Sequence, residues 1–164
     1  ESPVNPASFF ARALKKAEDI MAAVSCDLTI VRFSGIYGPG RLALLNSVKN
    51  GIGSPAQPKQ WSNRIHSDDC AGFLAHLVNR HLNGQKLEKL YLGTDCEPAA
   101  QHDMRKWLAG KLNVVLTEEV SSSRTGTRRY DNKRLIQTGY QLQYPSYREG
   151  YTSIIKNLLD KSSH

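Results

Sequence analysis

The sequence predicts an α/β protein built around a parallel sheet, on three observations. Residues 28–33 and 89–94 are short apolar runs rich in β-branched and aromatic side chains, without clean alternation, as in strands covered on both faces. Helical patterns lie between them, and a parallel pair needs such a crossover. The chain is 164 residues long, 40% hydrophobic and 23% charged, which describes one ordinary globular domain. Two strands cannot bury themselves, so the edges of this sheet are expected to need further strands or a second copy of the chain.

The elements follow in order. Ser8 is placed to cap a helix running to about residue 23. Phe10, Ala13, Leu14, Ala17, Ile20, Met21 and Val24 make its apolar face. Cys26-Asp27 turns the chain into the first strand, and Gly35, Gly38, Pro39 and Gly40 then predict a loop. Residues 42–49 read as a short helix stopped by Asn50-Gly51. Residues 53–59, with two prolines, read as an exposed loop, and residues 61–66 as a short extended piece. Ser67 or Asp68 caps the next helix, whose expected inward face is Ala71, Leu74, Ala75, Val78 and Leu82, widened by Phe73 and Leu77. Asp68 and Asp69 fall in its first turn, where the helix dipole favours negative charge. After the second strand a helix is expected over about 100–112, with Met104, Trp107, Leu108 and Leu112 inward, then a short strand over 114–118. Residues 121–129 read as a mobile polar loop. Asp131 or Asn132 caps a short helix ending at Gly139, and residues 140–144 are extended. Ser146 caps a last helix with Tyr151, Ile154, Ile155 and Leu158 inward, and residues 161–164 form a tail.

Several function classes are disfavoured. No apolar run approaches the ~18 residues of a membrane span. The first residues lack the basic and apolar regions of a secretory leader, so a cytoplasmic location is expected. The absence of an initiator Met points to a processed or truncated chain. Cys26, Cys70 and Cys96 are odd in number and form no C-x-x-C pair, as expected of reduced thiols. His66, Asp68, His76 and His81 suggest a metal site, but His76 and His81 are five apart and share no helix face, and no H-E-x-x-H or paired cysteines are present, so no metal is expected. The formal charge of +7 suits nucleic acid or phosphorylated ligands. Its densest cluster is Arg124, Arg128, Arg129, Lys133 and Arg134 around Tyr130. This cluster reads as a solvated loop or as a site for a small phosphorylated ligand. Nucleic acid is disfavoured, since no helix-turn-helix, RNP-like or zinc pattern accompanies it.

Five segments together resemble the extended short-chain dehydrogenase/reductase family, in its NAD-dependent epimerase/dehydratase branch. They are Glu1-x-Pro3-x-x-Pro6-x-Ser8 with Ala17-Glu18; Val31-Arg-Phe-Ser-Gly-Ile-Tyr-Gly-Pro39; Asn63-Arg-Ile-His-Ser-Asp-Asp69; Tyr91-Leu-Gly-Thr-Asp95 with Glu97-Pro98; and Asn132-Lys-Arg-Leu before Gly139-Tyr140 and Tyr144-Pro-Ser-Tyr-Arg-Glu-Gly150. The last segments look most like atypical, bacterial-type nucleoside-diphosphate-sugar epimerase-like proteins. The resemblance covers nearly the whole chain. It implies that residues 1–164 are the C-terminal, substrate-side half of a Rossmann-type NAD(P)-binding fold with its small substrate-binding subdomain, without the N-terminal dinucleotide-binding half. NAD or NADP would then belong to the intact protein. None is expected on this chain alone, because the helix N-terminus that takes the pyrophosphate is missing.

The family's catalytic pair is Tyr-x-x-x-Lys on one helix face. Matching Pro6, Ser8 and Glu18 to that pattern places Phe10 and Leu14 at these positions, where they read as core. Lys15 and Lys16 are rotated away by ~100° and ~200°. The usual proton donor is therefore absent and the catalytic residues are unknown, with His66 a remaining candidate because imidazole titrates near neutrality. By the same match, Ser34, Gly35, Ile36 and Tyr37 lie at the nicotinamide end of the cofactor, through backbone as much as side chain; the glycines equally suit a turn. Ser34 stands where many members carry Asn. Arg41, Arg64, His66, Arg128 and Arg129 are the candidate substrate-binding groups for a nucleotide-sugar-like ligand. The alternatives are a surface ion pair of Arg64 with Asp68 or Asp69, and a capping or packing role for His66. The resemblance implies part of an NAD(P)-dependent nucleoside-diphosphate-sugar epimerase, dehydratase or reductase. The alternative is a non-catalytic dinucleotide-sensing or scaffold protein. The isolated chain is expected to be inactive and, with open strand edges, to self-associate as a homodimer.

Overall fold

The structure, a computed structural model, describes residue 6 and residues 8–24, 26–121 and 128–162, the last two without their side chains. Arg124, the segment around Pro3, and most of the loop expected over residues 121–129 lie outside the described residues. The chain runs α1 (Phe9–Ala22), β1 (Ile30–Phe33), β2 (Gly35–Tyr37), α2 (Ala43–Lys49), β3 (Ile52–Gly53), β4 (Trp61–Ser62), β5 (Arg64–His66), α3 (Ser67–Leu82), β6 (Leu90–Gly93), β7 (Ala99–Ala100), α4 (Gln101–Leu112), β8 (Glu118–Glu119), α5 (Lys133–Gln137) and α6 (Tyr147–Ser162). Among the described residues the strands form two-stranded ladders. β1–β6, β2–β5 and β3–β8 are parallel, and β4–β7 is antiparallel. No helix is long and apolar enough to cross a membrane.

The expected parallel pair is β1–β6, with Val31 opposite Tyr91 and Phe33 opposite Gly93. Gly93 is required there, because a Cβ would collide with the Phe33 ring. One core gathers Tyr37, Leu45, Val48, Met104, Leu108, Tyr147, Tyr151 and Ile154 between α2, α4 and α6. A second gathers Phe73, Leu77, Tyr91 and Leu135 between α3, α5 and β6. Helix ends follow the sequence. The Ser8 side chain accepts the Ala11 N–H at 3.1 Å. The Ser146 hydroxyl accepts the Arg148 N–H, while Glu149 reaches back to the Ser146 N–H at 3.0 Å, a capping box for α6.

Several expectations are corrected. The Gly/Pro loop begins as a strand: Gly35–Tyr37 pairs with Arg64–His66, and Gly35 leaves room for the Asn63 carbonyl to come close. Residues 53–59 are not all exposed, since Gly53 and Ser54 are buried where β3 meets β8. The strand expected over 114–118 shrinks to Glu118–Glu119, and residues 140–144 form no strand. α6 continues through Ser162 where a tail was expected. On α3 the buried side is Asp69, Cys70, Phe73 and Leu77, whereas Leu74, Val78 and Leu82 are exposed. The sequence carries two apolar stripes on this helix, and the one with the aromatic ring faces the sheet.

The largest correction concerns α1. Phe10 and Leu14 are not core: they are 78% and 69% exposed, and no α1 residue is buried. What ties α1 to the sheet is an ion pair. Glu18 takes a bidentate contact from Arg32 in β1, with Nε–Oε1 at 2.8 Å. This contact, chiefly by hydrogen bonding, holds the Glu18 carboxyl below its ordinary range and the Arg32 guanidinium above it. Leu14 and Phe10 lie four and eight residues before Glu18, on the same helix face.

Asp69 joins the two cores. It is fully buried, and its carboxylate accepts the N–H groups of Gln143 at 2.7 Å and Tyr144 at 2.9 Å and the Tyr140 hydroxyl at 3.3 Å. It thereby supplies the backbone partners that a strand would otherwise give this segment. Replacing Asp69 by Ala leaves two part-buried N–H groups and a phenol without their acceptor and is expected to cost roughly 2–5 kcal/mol. Urea unfolding of the two proteins measures this, and a loss under about 1 kcal/mol would refute the role.

Candidate functional site

Parallel strands bring their ligand-facing ends to one edge, the carboxyl edge. β1 ends at Phe33 and β6 at Gly93. The Ser34 N–H donates to the Gly93 carbonyl at 2.9 Å, carrying the pairing one residue further. Beyond it, the Asp95 N–H and the Thr94 hydroxyl both donate to the Arg64 carbonyl, at 2.7 and 3.1 Å, which fixes β5 beside this edge. Two polar groups are stranded here. The Ser34 hydroxyl and the Asp95 Oδ2 are buried without a hydrogen-bond partner among the described residues.

Asp95 is 2% exposed. Burial pushes its carboxyl up to about 7, against the Glu97 N–H, which donates to Oδ1 at 3.3 Å, and against the Arg64 charge. Asp95 lines an open cleft of about 450 Å³ together with Cys96, Pro98, Arg129, Tyr130, Asp131 and Asn132. Asn63 ties down the segment that carries one wall. Its Nδ2 donates to the Arg128 carbonyl at 3.1 Å and its Oδ1 accepts the Tyr130 N–H at 2.7 Å. Asn132 builds another, its Nδ2 donating to the Thr94 carbonyl at 3.1 Å. The Arg129 guanidinium lies 4.9 Å over the Trp61 ring, so an aromatic face supports a cation at the rim.

The candidate residues divide between this site and elsewhere. Ser34 lies at the sheet edge, Arg129 is exposed in the cleft lining, and Arg128 is exposed next to it in the chain. Gly35, Ile36 and Tyr37 form β2. The Tyr37 ring is 2% exposed and stacked on Tyr151 at 4.6 Å, so it turns into the core and offers a ligand only backbone. Burial raises its hydroxyl pKa well above the ordinary value. Arg64 is half-buried and hydrogen-bonds the Tyr151 phenol, an inward placement instead of a surface one. Arg41 is exposed and outside the cleft lining, near Cys70, where its charge opposes the rise that burial imposes on that thiol. His66 is 1% exposed, packed on Tyr144 at 4.0 Å, and its Nδ1 accepts the Asp68 N–H at 3.2 Å as the cap of α3, in place of Ser67 or Asp68. Burial lowers its pKa despite Asp68 and Asp69, so it is a neutral cap at neutral pH. Phe10 and Leu14 stay on the exposed face of α1.

Sequence reading missed Asp95, Asn63 and Asn132. The available signal was position: Asp95 directly follows the second predicted strand, at the carboxyl edge. No group of three potential metal ligands occurs among the described residues.

The raised Asp95 carboxyl has a stability consequence. Its folded pKa near 7 lies above the unfolded value near 3.8, so the folded state binds more protons between these values. The contribution is fully present below the unfolded value and is lost as pH rises through about 7. Asp95→Asn is therefore expected to be more stable than the parent at pH 8, by up to roughly 4 kcal/mol, with the difference closing toward pH 4. His66 shifts both proteins alike in the opposite sense. Thermal unfolding of both across this range checks it, and a pH-independent difference would refute it.

No family model and no curated protein matches the chain. Solved structures do. A protein from Methylobacillus flagellatus, provisionally described as an NAD-dependent epimerase/dehydratase, is 36% identical with a TM-score of 0.80; the alignment covers 96% of this chain and 56% of that one. A conserved protein of unknown function from Silicibacter pomeroyi is 28% identical with a TM-score of 0.80, covering 95% and 58%. A human epimerase family protein, solved with NADPH, is 21% identical with a TM-score of 0.79, covering 96% and 58%, which speaks for the fold. The chain spans little more than half the length of these relatives. By structure it falls among the NAD-dependent epimerase/dehydratases of the extended short-chain dehydrogenase/reductase family, with a partial Rossmann-like fold that aligns with about half of theirs.

Proposed function

We propose that this chain is the C-terminal, substrate-side portion of an NAD(P)-dependent protein that binds a nucleoside-diphosphate sugar, related to epimerases, dehydratases and reductases but lacking the Tyr/Lys pair. The observation that carries this reading is the cleft at the carboxyl edge of β1–β6, lined by Arg129 and by Asp95, whose carboxyl has one unpartnered oxygen among the described residues. A fold relative solved with UDP-glucose and NAD supports the choice of ligand. Arg128 and Arg129 take the diphosphate, for which a guanidinium fork is well shaped. This is a small-molecule site and not one for nucleic acid. The free cysteines suit a reducing, cytoplasmic setting, and the exposed apolar face of α1 suits a homodimer.

The nicotinamide end of NAD(P) fits this chain at Ser34, whose buried hydroxyl lacks a partner and would hold the carboxamide. The pyrophosphate does not fit, since the sequence contains no G-x-x-G-x-x-G loop. The cofactor, when bound, supplies hydride transfer. Phe10 and Leu14 can hold no proton, and His66 is occupied as a cap.

That absence favours a second reading: the protein binds dinucleotide without turnover, as a sensor or scaffold. Titrating the intact protein with NAD+ or NADP+ and UDP-glucose, then following nicotinamide reduction and the UDP-sugar products, separates the two. Binding with turnover supports the enzyme, and binding without turnover supports the sensor. Failure to bind either ligand defeats both. Arg129→Ala is expected to weaken UDP-glucose binding by about tenfold, the loss of one charge-assisted hydrogen bond.

A further inference from the structure

Several buried polar atoms lack a partner among the described residues: those of Ser34, Ser54, Arg64, His66, Arg80, Asp95, Gln101 and Arg105. Asp95 is the one of these that also lines the cleft. A carboxylate oxygen buried without a partner is costly. Here the surroundings do not relieve it. Arg64, the cation facing Asp95 from β5, is engaged by the Tyr151 phenol. Arg148 at the start of α6 is turned to Glu97, 3.3 Å away, and stacks over Tyr147. Glu97 on the same loop and Glu149 from α6 add negative charge, and the Tyr37 phenol faces it from β2. The carboxyl is nonetheless held in place, through its backbone N–H on β5 and through Oδ1 on the Glu97 N–H. A fixed, buried acceptor with one oxygen unanswered among the described residues, in a residue that lines a cleft, is placed to receive a donor from the cleft side.

We infer that Asp95 recognises a sugar hydroxyl of the bound ligand, its free Oδ2 accepting the hydroxyl hydrogen while Arg129 at the rim meets the phosphate. The inference rests on the nucleoside-diphosphate-sugar reading above. The chemistry selects a hydroxyl over a cationic group, because Arg64 behind and Arg129 at the rim oppose a second positive charge. A hydroxyl also meets this carboxyl in either state, donating to the ionised form or accepting from the protonated one. The ionised form gains more, because a hydrogen bond to a charged acceptor is the stronger. Ligand binding near neutral pH therefore releases a proton from Asp95.

The test is calorimetric titration of the intact protein and its Asp95→Asn variant at pH 7, in two buffers of different ionisation enthalpy. The probes are UDP-glucose and inorganic pyrophosphate, which has no hydroxyl of a sugar. The expected result is proton release when the parent binds UDP-glucose. In Asp95→Asn that release disappears and UDP-glucose affinity falls about tenfold, while pyrophosphate affinity stays within about twofold. The proton count on the parent does not depend on the variant folding. Equal UDP-glucose affinity in both proteins, or equal weakening of both probes, overturns the role of Asp95 and leaves the ligand reading standing. Failure of the parent to bind UDP-glucose overturns the ligand reading and this inference with it.

Discussion

The architecture depends on one buried carboxylate. Asp69, in the first turn of α3, receives the backbone of residues 143 and 144. From that anchor the chain is positioned in sequence. Tyr144 is laid on His66, and the Pro145 carbonyl accepts the Cys96 N–H at 2.9 Å, which fixes the loop after β6. Ser146 starts α6 and its carbonyl accepts the Tyr37 hydroxyl at 3.4 Å. The floor of the cleft is thus held from both sides, by β5 at Asp95 and by the residue 145 carbonyl at Cys96. Without Asp69, each of these contacts would have to form from an unpaired, unanchored segment.

Asp69 and Asp95 make an instructive pair. Both are buried. Asp69 is surrounded by donors: two backbone N–H groups and a phenol converge on it. Asp95 is given one N–H and a cation already engaged elsewhere, with two glutamates nearby. The first arrangement belongs to structure, because every acceptor site is answered within the chain. The second leaves an acceptor open on the wall of a cleft, which structure alone does not require. Hydrogen bonds, not burial, separate the two roles.

The sequence made the regular elements legible because each carries a local cause. β-branched and aromatic runs mark β1 and β6, and Ser8, Ser146 and Glu149 mark helix starts through their own side chains. What it could not show was which of two apolar stripes on α3 faces inward. Leu74, Val78 and Leu82 and the Phe73–Leu77 stripe obey the same period, and the tertiary partner decides. The strand at Gly35–Tyr37 was hidden because its glycines look like turn residues until Asn63 is known to approach. His66 attracted attention as a titratable group near an aspartate, yet its position before α3 makes it a cap. Asp95 went unnoticed because Thr-Asp after a strand resembles an ordinary turn. Its significance arises from burial and an unanswered oxygen, neither of which is written locally.

In the proposed reading, the α1 helix is where this chain departs from the chemistry its family resemblance implies. Glu18 fixes one turn of the helix to Arg32 in β1, and Leu14 and Phe10 continue along the same face. A face so directed would carry a proton donor toward the cofactor end of the sheet, and here it carries two apolar groups. Two of the buried polar groups without partners among the described residues lie instead at the strand ends, at Ser34 and Asp95. In the proposed reading, recognition is kept at the carboxyl edge of the sheet while proton transfer from the helix is lost. A protein with this division retains the means to distinguish a phosphorylated sugar by charge at the rim and by hydroxyl at the floor. Binding and turnover are then separable properties in it, because the residues that serve one no longer include those that serve the other.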